Sequence, residues 1–171
     1  MSKLQIIVAP DSRLLKMSKP VLELTKDITR LLDNMLETMY KSNGIGLAAP
    51  QVGILSRIVV MDCSYKDNPK KAYKFINPEI LEFSSEQSEF EEGCLSLPEQ
   101  FAKVSRPKTI LVKYVNESGQ SKKIKLSGIE ATCLQHEIDH LDGKLFVDHI
   151  SKLKRSRIMQ KLNKYKKKIK T

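Results

Sequence analysis

Ser127-Gly128-Ile129-Glu130-Ala131-Thr132-Cys133-Leu134-Gln135-His136-Glu137-Ile138-Asp139-His140-Leu141-Asp142-Gly143 is the stretch on which the reading of this chain turns. Ser127, followed three residues later by Glu130, predicts a capping box that opens a helix. Ile129, Cys133, Leu134, Ile138 and Leu141 then recur at helical spacing, and Gly143 is placed to end the run. These apolar residues spread widely around the axis, so the helix is expected to be central and mostly buried.

A buried helix carrying two histidines and a glutamate is costly unless those groups have partners. His136 and His140 lie four residues apart, on one helical face, where both imidazoles can reach one metal ion. Glu137 points about 100° around the axis, near enough to a water on that ion to act as a base without being a ligand. Catalytic metal sites usually keep three protein ligands and one open position. The remaining histidine, His149, stands at the approach to a basic C-terminal segment, which leaves Cys63, Cys94 and Cys133 as candidates. Cys133 precedes His140 by seven residues, a rise of about 10 Å, too far for a shared tetrahedral ion, and reads as a small core residue. Cys63 follows the strand-like run Arg57–Asp62. Cys94 sits in Glu91-Glu92-Gly93-Cys94-Leu95-Ser96-Leu97-Pro98, where glycine and proline predict an irregular segment with free backbone N–H groups. Spacing favours Cys94 over Cys63 without excluding the latter.

Outward from this helix, Leu24, Ile28, Leu31, Leu32, Met35, Leu36 and Met39 form an amphipathic stripe ending near Asn43-Gly44. Strand-like segments follow at 58–61, 74–76 and 110–115, with turn signals at Asn68-Pro69 and Glu117-Ser118-Gly119. The opening run from Met1 to Val8 also reads as a strand, with no signal-peptide core. There is no apolar run long enough to span a membrane, and three cysteines make no disulfide framework, so a cytoplasmic protein without a membrane partner is expected. Residues 152–171 hold ten Lys or Arg and no acid, while the rest carries 20 of each sign, so the whole net charge of +10 sits in the tail. Its apolar spacing predicts a helix fraying at Lys166-Lys167-Lys168, and its charge suits phosphate-rich RNA.

Three motifs, in order, resemble those of the peptide deformylases of bacterial type: Gly44-Ile45-Gly46-Leu47-Ala48-Ala49-Pro50-Gln51, Glu92-Gly93-Cys94-Leu95-Ser96 and Gln135-His136-Glu137-Ile138-Asp139-His140. The resemblance runs from near the N-terminus through Leu153 and includes Asn77-Pro78. It implies an α+β fold, with antiparallel or mixed sheets wrapped around the motif helix, an N-terminal amphipathic helix and a basic C-terminal helix. It implies Fe²⁺ held by Cys94, His136 and His140, with Zn²⁺, Ni²⁺ or Co²⁺ able to substitute. Glu137 is then the general base, while the Gln51 amide and the Leu95 N–H stabilise the oxyanion. The substrate class is nascent polypeptides beginning with N-formylmethionine, cut to formate and a free amino terminus. Gly44 and Gly46 are expected to admit an extended peptide, Gly44 doubling as a helix cap. The methionine side chain is expected beside Ile45, Phe90, Glu92, Ile129 and Cys133, with Gly93 a further substrate-binding residue. Arg106 is expected to brace Glu92, and Phe101 departs from an arginine found in some members.

By the same resemblance, residues 1–151 form one catalytic domain, and 152–171 a helical tail docking at the ribosome near the exit of the peptide tunnel. A monomer is expected. Two rival classes are separable by experiment: another H-E-x-x-H metallopeptidase would cut internal bonds, and a non-catalytic RNA- or ribosome-binding protein would be indifferent to loss of Glu137.

Overall fold

The structure is a computed structural model and describes residues 4–64 and 70–169; the Asn68-Pro69 turn and the first three residues of the opening run lie outside them. Three helices are α1 (Lys26–Lys41), α2 (Gly128–Leu141) and α3 (Lys152–Ile169). Seven strands are β1 (Gly46–Ala48), β2 (Ile58–Met61), β3 (Tyr73–Phe83), β4 (Gln87–Cys94), β5 (Leu97–Pro107), β6 (Thr109–Val115) and β7 (Ser121–Ser127). They form a five-stranded sheet of order β1-β2-β3-β6-β7 and a separate β4-β5 ribbon. Every named pairing is antiparallel, so the fold class is the expected α+β with antiparallel sheets.

Helix α2 is the central element. Residues 131–138, His140 and Leu141 are all buried, and Ala131, Leu134, Ile138 and Leu141 pack on Val59, Phe75, Val112 and Leu126 of the large sheet. The expected capping box is absent, because Ser127 is still a strand residue facing Thr109, to whose hydroxyl it lies at 3.2 Å. The chain instead turns into the helix through Gly128, at φ +61°. The end is as expected: Gly143, at φ +72°, donates its N–H to His140 and Lys144 donates to Asp139, the paired bonds of a Schellman motif.

Helix α1 buries Leu32, Met35 and Met39 of the predicted stripe on the other face of the sheet's first strands. Its left-handed closing residue is Asn43 rather than Gly44, with the Gly44 N–H returning to the Met39 carbonyl at 3.0 Å. Residues 4–8 are extended but join no sheet; Ile7 donates to the Gln51 carbonyl and Ala9 to that of Ser96. Asn77 interrupts β3 at φ +51° and clasps the backbone of Val21 with both ends of its amide, at 2.8 Å each. Helix α3 continues through Lys166–Lys168 to Ile169 without fraying, and it buries only Ile158 and Leu162, against a cluster containing Leu97, Phe146 and Val147.

Candidate metal centre and substrate cleft

The β4-β5 ribbon delivers the third candidate ligand. Cys94 ends β4, Leu95-Ser96 form a two-residue turn, and Leu97 begins β5 opposite Cys94. The irregular segment expected here is thus a hairpin. Gly93 permits it: a Cβ there would stand 2.5 Å from the Phe101 ring directly across the ribbon. The turn lays the Cys94 thiol 3.3 Å from His140 Nε2. The His136 and His140 rings sit 5.0 Å apart at 71°. One donor atom each from Cys94, His136 and His140 lies within 4.8 Å of the others. Cys63 is not part of this cluster, and Cys133 turns its thiol to the Ile45 carbonyl at 3.7 Å.

Around the three donors the polar groups are held firmly. Glu92 receives Arg106 in bidentate fashion, at 2.7 and 3.0 Å, and lies 2.8 Å from His136 Nδ1. That contact turns the opposite nitrogen of His136 toward Cys94. Arg106 also donates to Asp139 at 2.9 Å, and Asp139 meets His149 at 2.7 Å. Burial alone pushes the Glu92 carboxyl up, but His136 and Arg106 outweigh it and hold the group below its ordinary range. Gln51 is 1% exposed; its oxygen accepts from the Ala48 N–H at 2.8 Å, and its nitrogen lies 3.4 Å from both the Cys94 sulfur and the Ser96 hydroxyl.

Glu137 stands apart. Burial raises its carboxyl to about 7, and its Oε2 has no partner among the described residues. A Cβ on Gly46 would fall 2.5 Å from its Oε1, so only glycine lets β1 pass this close. At Gly44 a Cβ would meet the tip of the half-buried Leu95 side chain at 2.8 Å, a contact that a shift of that side chain can relieve. The chemistry of the donor set fits a transition metal: one thiol and two imidazoles, a soft-to-borderline trio, leaving a fourth position open beside an unpartnered carboxylate. A cation there would draw the Glu137 carboxyl back down.

A cleft of 400 Å³ opens over these groups, lined by Gly44, Ile45, Gly46, Gln51, Gly93, Cys94, Leu95, Phe101, His136 and Glu137 among others. A smaller cavity of 90 Å³ adjoins it, and its walls include Gly93 together with Ile45, Phe90, Glu92, Ile129 and Cys133, the five residues expected around a methionine side chain. A larger cavity, of 670 Å³, lies against another face of α2, where Arg57 is already paired with Asp142 and His149 with Asp139. Volume is a poorer guide here than donor geometry. Asp139, His149, Ser96 and Thr132 were not singled out by sequence reasoning. For Asp139 a signal existed, since an acid on a buried helix beside two histidines needs a partner.

The family model described as polypeptide deformylase matches residues 3–156. A peptide deformylase of Rhodopseudomonas palustris (strain TIE-1) is 50% identical over 162 residues, covering 94% of this chain and 93% of that protein. The crystal structure of the peptide deformylase of Ehrlichia chaffeensis in complex with actinonin superposes with a TM-score of 0.92 at 41% identity, over 96% of this chain and 98% of that one. A class I type b peptide deformylase of Acinetobacter baumannii, with Met-Ala-Ser bound, gives a TM-score of 0.82 at 37% identity, over 87% of this chain and 99% of that one. With its cysteine and two histidines gathered in one cleft, the chain belongs to the polypeptide deformylase family, metalloenzymes that remove the formyl group from nascent peptides.

Proposed function

We infer that Cys94, His136 and His140 hold the working metal, that this metal is Fe²⁺, and that Glu137, Gln51 and Leu95 carry out the reaction on N-formylmethionyl chains. The convergence of three donor atoms within 4.8 Å of one another supports this reading. When bound, the ion supplies a Lewis acid and lowers the pKa of a water toward neutrality. Glu137 is the group placed to take the proton of the attacking water and to return it to the leaving amine. Gln51 Nε2 and the Leu95 N–H donate to the formyl oxygen as negative charge develops on it. Because Ala48 fixes the other end of the Gln51 amide, the donor is aimed before the substrate arrives. Zn²⁺, Ni²⁺ and Co²⁺ suit the same trio of ligands and are expected to substitute. The methionine side chain enters the 90 Å³ cavity, and the rest of the peptide runs along the 400 Å³ cleft beside Gly44, Ile45 and Gly46.

Formate release from a short formyl-methionyl peptide, measured anaerobically with the Fe²⁺ enzyme, tests the assignment. Gln51→Ala is expected to lower kcat by about 100-fold or more, the usual cost of one oxyanion donor, with metal content unchanged. A loss below ten-fold would remove Gln51 from the oxyanion site.

Residues 1–151 are proposed as the catalytic unit of a cytoplasmic monomer, and 152–171 as its ribosome-docking element. No helix among the described residues is long and apolar enough to cross a membrane. Since Ile158 and Leu162 of α3 are buried, deleting the helix would damage the body, and charge is the better variable. Exchanging the exposed Arg157, Lys161 and Lys164 for glutamine should weaken ribosome binding in a co-sedimentation assay and flatten its salt dependence. Short-peptide hydrolysis should stay at its original rate. Equal ribosome affinity for the triple variant would discard the docking role.

A further inference from the structure

We propose that Thr132 is a specificity-determining residue whose hydroxyl donates a hydrogen bond to the thioether sulfur of the substrate methionine. This rests on the reading above that the 90 Å³ cavity receives that side chain. Thr132 forms part of the cavity wall, is 2% exposed, and its Oγ1 has no hydrogen-bond partner among the described residues.

Ser18 and Ser88 also bury hydroxyls without a partner among the described residues, but the lack sets Thr132 apart from the helical threonines of α1. A helical threonine ordinarily spends its hydroxyl on the carbonyl one turn back. Thr38 does so, at 2.7 Å from Asn34, and Thr29 does so at 3.3 Å from Thr25. Of the other buried polar groups of the cavity wall, Glu92 is committed to Arg106 and His136 and the Cys133 thiol to Ile45, while Glu137, unpartnered at Oε2, is the base of the reading above. Thr132 therefore carries a buried donor without a partner, which rotation about χ1 brings to an acceptor in the cavity that the residue lines.

Methionine offers such an acceptor, its sulfur, while norleucine places a methylene at the same position in a chain of the same length. A site with an unsatisfied buried donor discriminates against the analogue that cannot pair with it. Leucine and other apolar side chains incur the same disadvantage. A purely apolar cavity of this size would separate methionine from norleucine poorly.

The measurement is the ratio of kcat/KM for formyl-Met-Ala-Ser to that for formyl-norleucyl-Ala-Ser, on the metal-loaded full-length protein. Thr132→Val, which keeps the shape and removes the hydroxyl, should lower this ratio by about five-fold, the worth of one neutral hydrogen bond. Thr132→Ala should lower it similarly, and Thr132→Ser should hold the original ratio. The thermal midpoint of Thr132→Val should not fall, because it deletes a polar group that lacks a partner. An unchanged ratio in Thr132→Val and Thr132→Ala, or an equal fall in Thr132→Ser, overturns the proposal. Ile129→Trp, which fills the cavity, separates the two layers of the argument. It should depress cleavage of formyl-Met-Ala-Ser far more than of formyl-Gly-Ala-Ser. Equal cleavage of both would overturn the methionine-cavity reading itself. A blocked tryptophan variant with an unchanged valine ratio overturns only the role of Thr132.

Discussion

Glu137→Ala is expected to retain its metal and to lower kcat by about 100- to 10,000-fold, the range set by loss of a positioned acid–base group. Two observations underlie this expectation. The carboxylate is not among the three donor atoms that converge, so the ion should stay. It is also buried and unpartnered at Oε2, which leaves it free to accept and release the proton of a water beside the three donors. Glu137→Gln should behave alike, because it keeps the shape and removes the proton acceptor. Metal content by atomic absorption and formate release together decide the matter. Turnover within ten-fold of the original protein would exclude Glu137 as the base. Loss of metal with loss of turnover would instead make it a ligand or a structural support.

Arg106→Leu should be the most damaging substitution away from the donors. The guanidinium is 4% exposed and contacts two carboxylates, Glu92 and Asp139. Its removal leaves Glu92 with His136 and Asp139 with His149 as their remaining partners, and breaking a buried ion pair in this way costs about 3–5 kcal/mol. It also frees Glu92 from the position in which it meets His136 Nδ1 at 2.8 Å. Losing such an outer contact typically weakens metal binding by about 10- to 100-fold. Arg106→Lys should recover little, since an ammonium cannot make the bidentate contact or reach Asp139 in the same geometry. Urea denaturation and competition with a chelator measure the two effects separately. An unaltered denaturation midpoint would show that Glu92 and Asp139 are not charged in the folded protein.

Helix α2 was legible because its determinants are local: apolar spacing, two histidines one turn apart and a glycine at the end. Its opening was misread because Ser127 still belongs to β7, and strand pairing with Thr109 directs the hydroxyl away from the helix. Gly93 and Pro98 suggested an irregular segment because each weakens a central strand. A two-stranded ribbon has only edge strands, where both residues are tolerated. The residues at 4–9 look strand-like in composition yet make single bonds to Thr38, Gln51 and Ser96 in three different places, which no periodicity encodes. Cys94 as the third ligand came from its motif, because spacing alone left Cys63 open. The Arg106–Asp139–His149 contacts were illegible for a related reason. They depend on how the end of β5 meets the exposed side of α2, a long-range packing outcome.

The ribbon that carries Cys94 shares no strand with the sheet that cradles α2. A cation gripped by Cys94, His136 and His140 would therefore be a rivet joining two independently hydrogen-bonded parts of the molecule. Cys94 and His136 are separated in sequence by all of β5, β6 and β7 and the first half of α2. Because the three donors converge only when both parts are folded and docked, an ion that binds them stabilises the folded protein by mass action. The same ion that activates the chemistry would also fix the jaw of the cleft, so loss of metal would loosen the binding surface as well as silence the reaction.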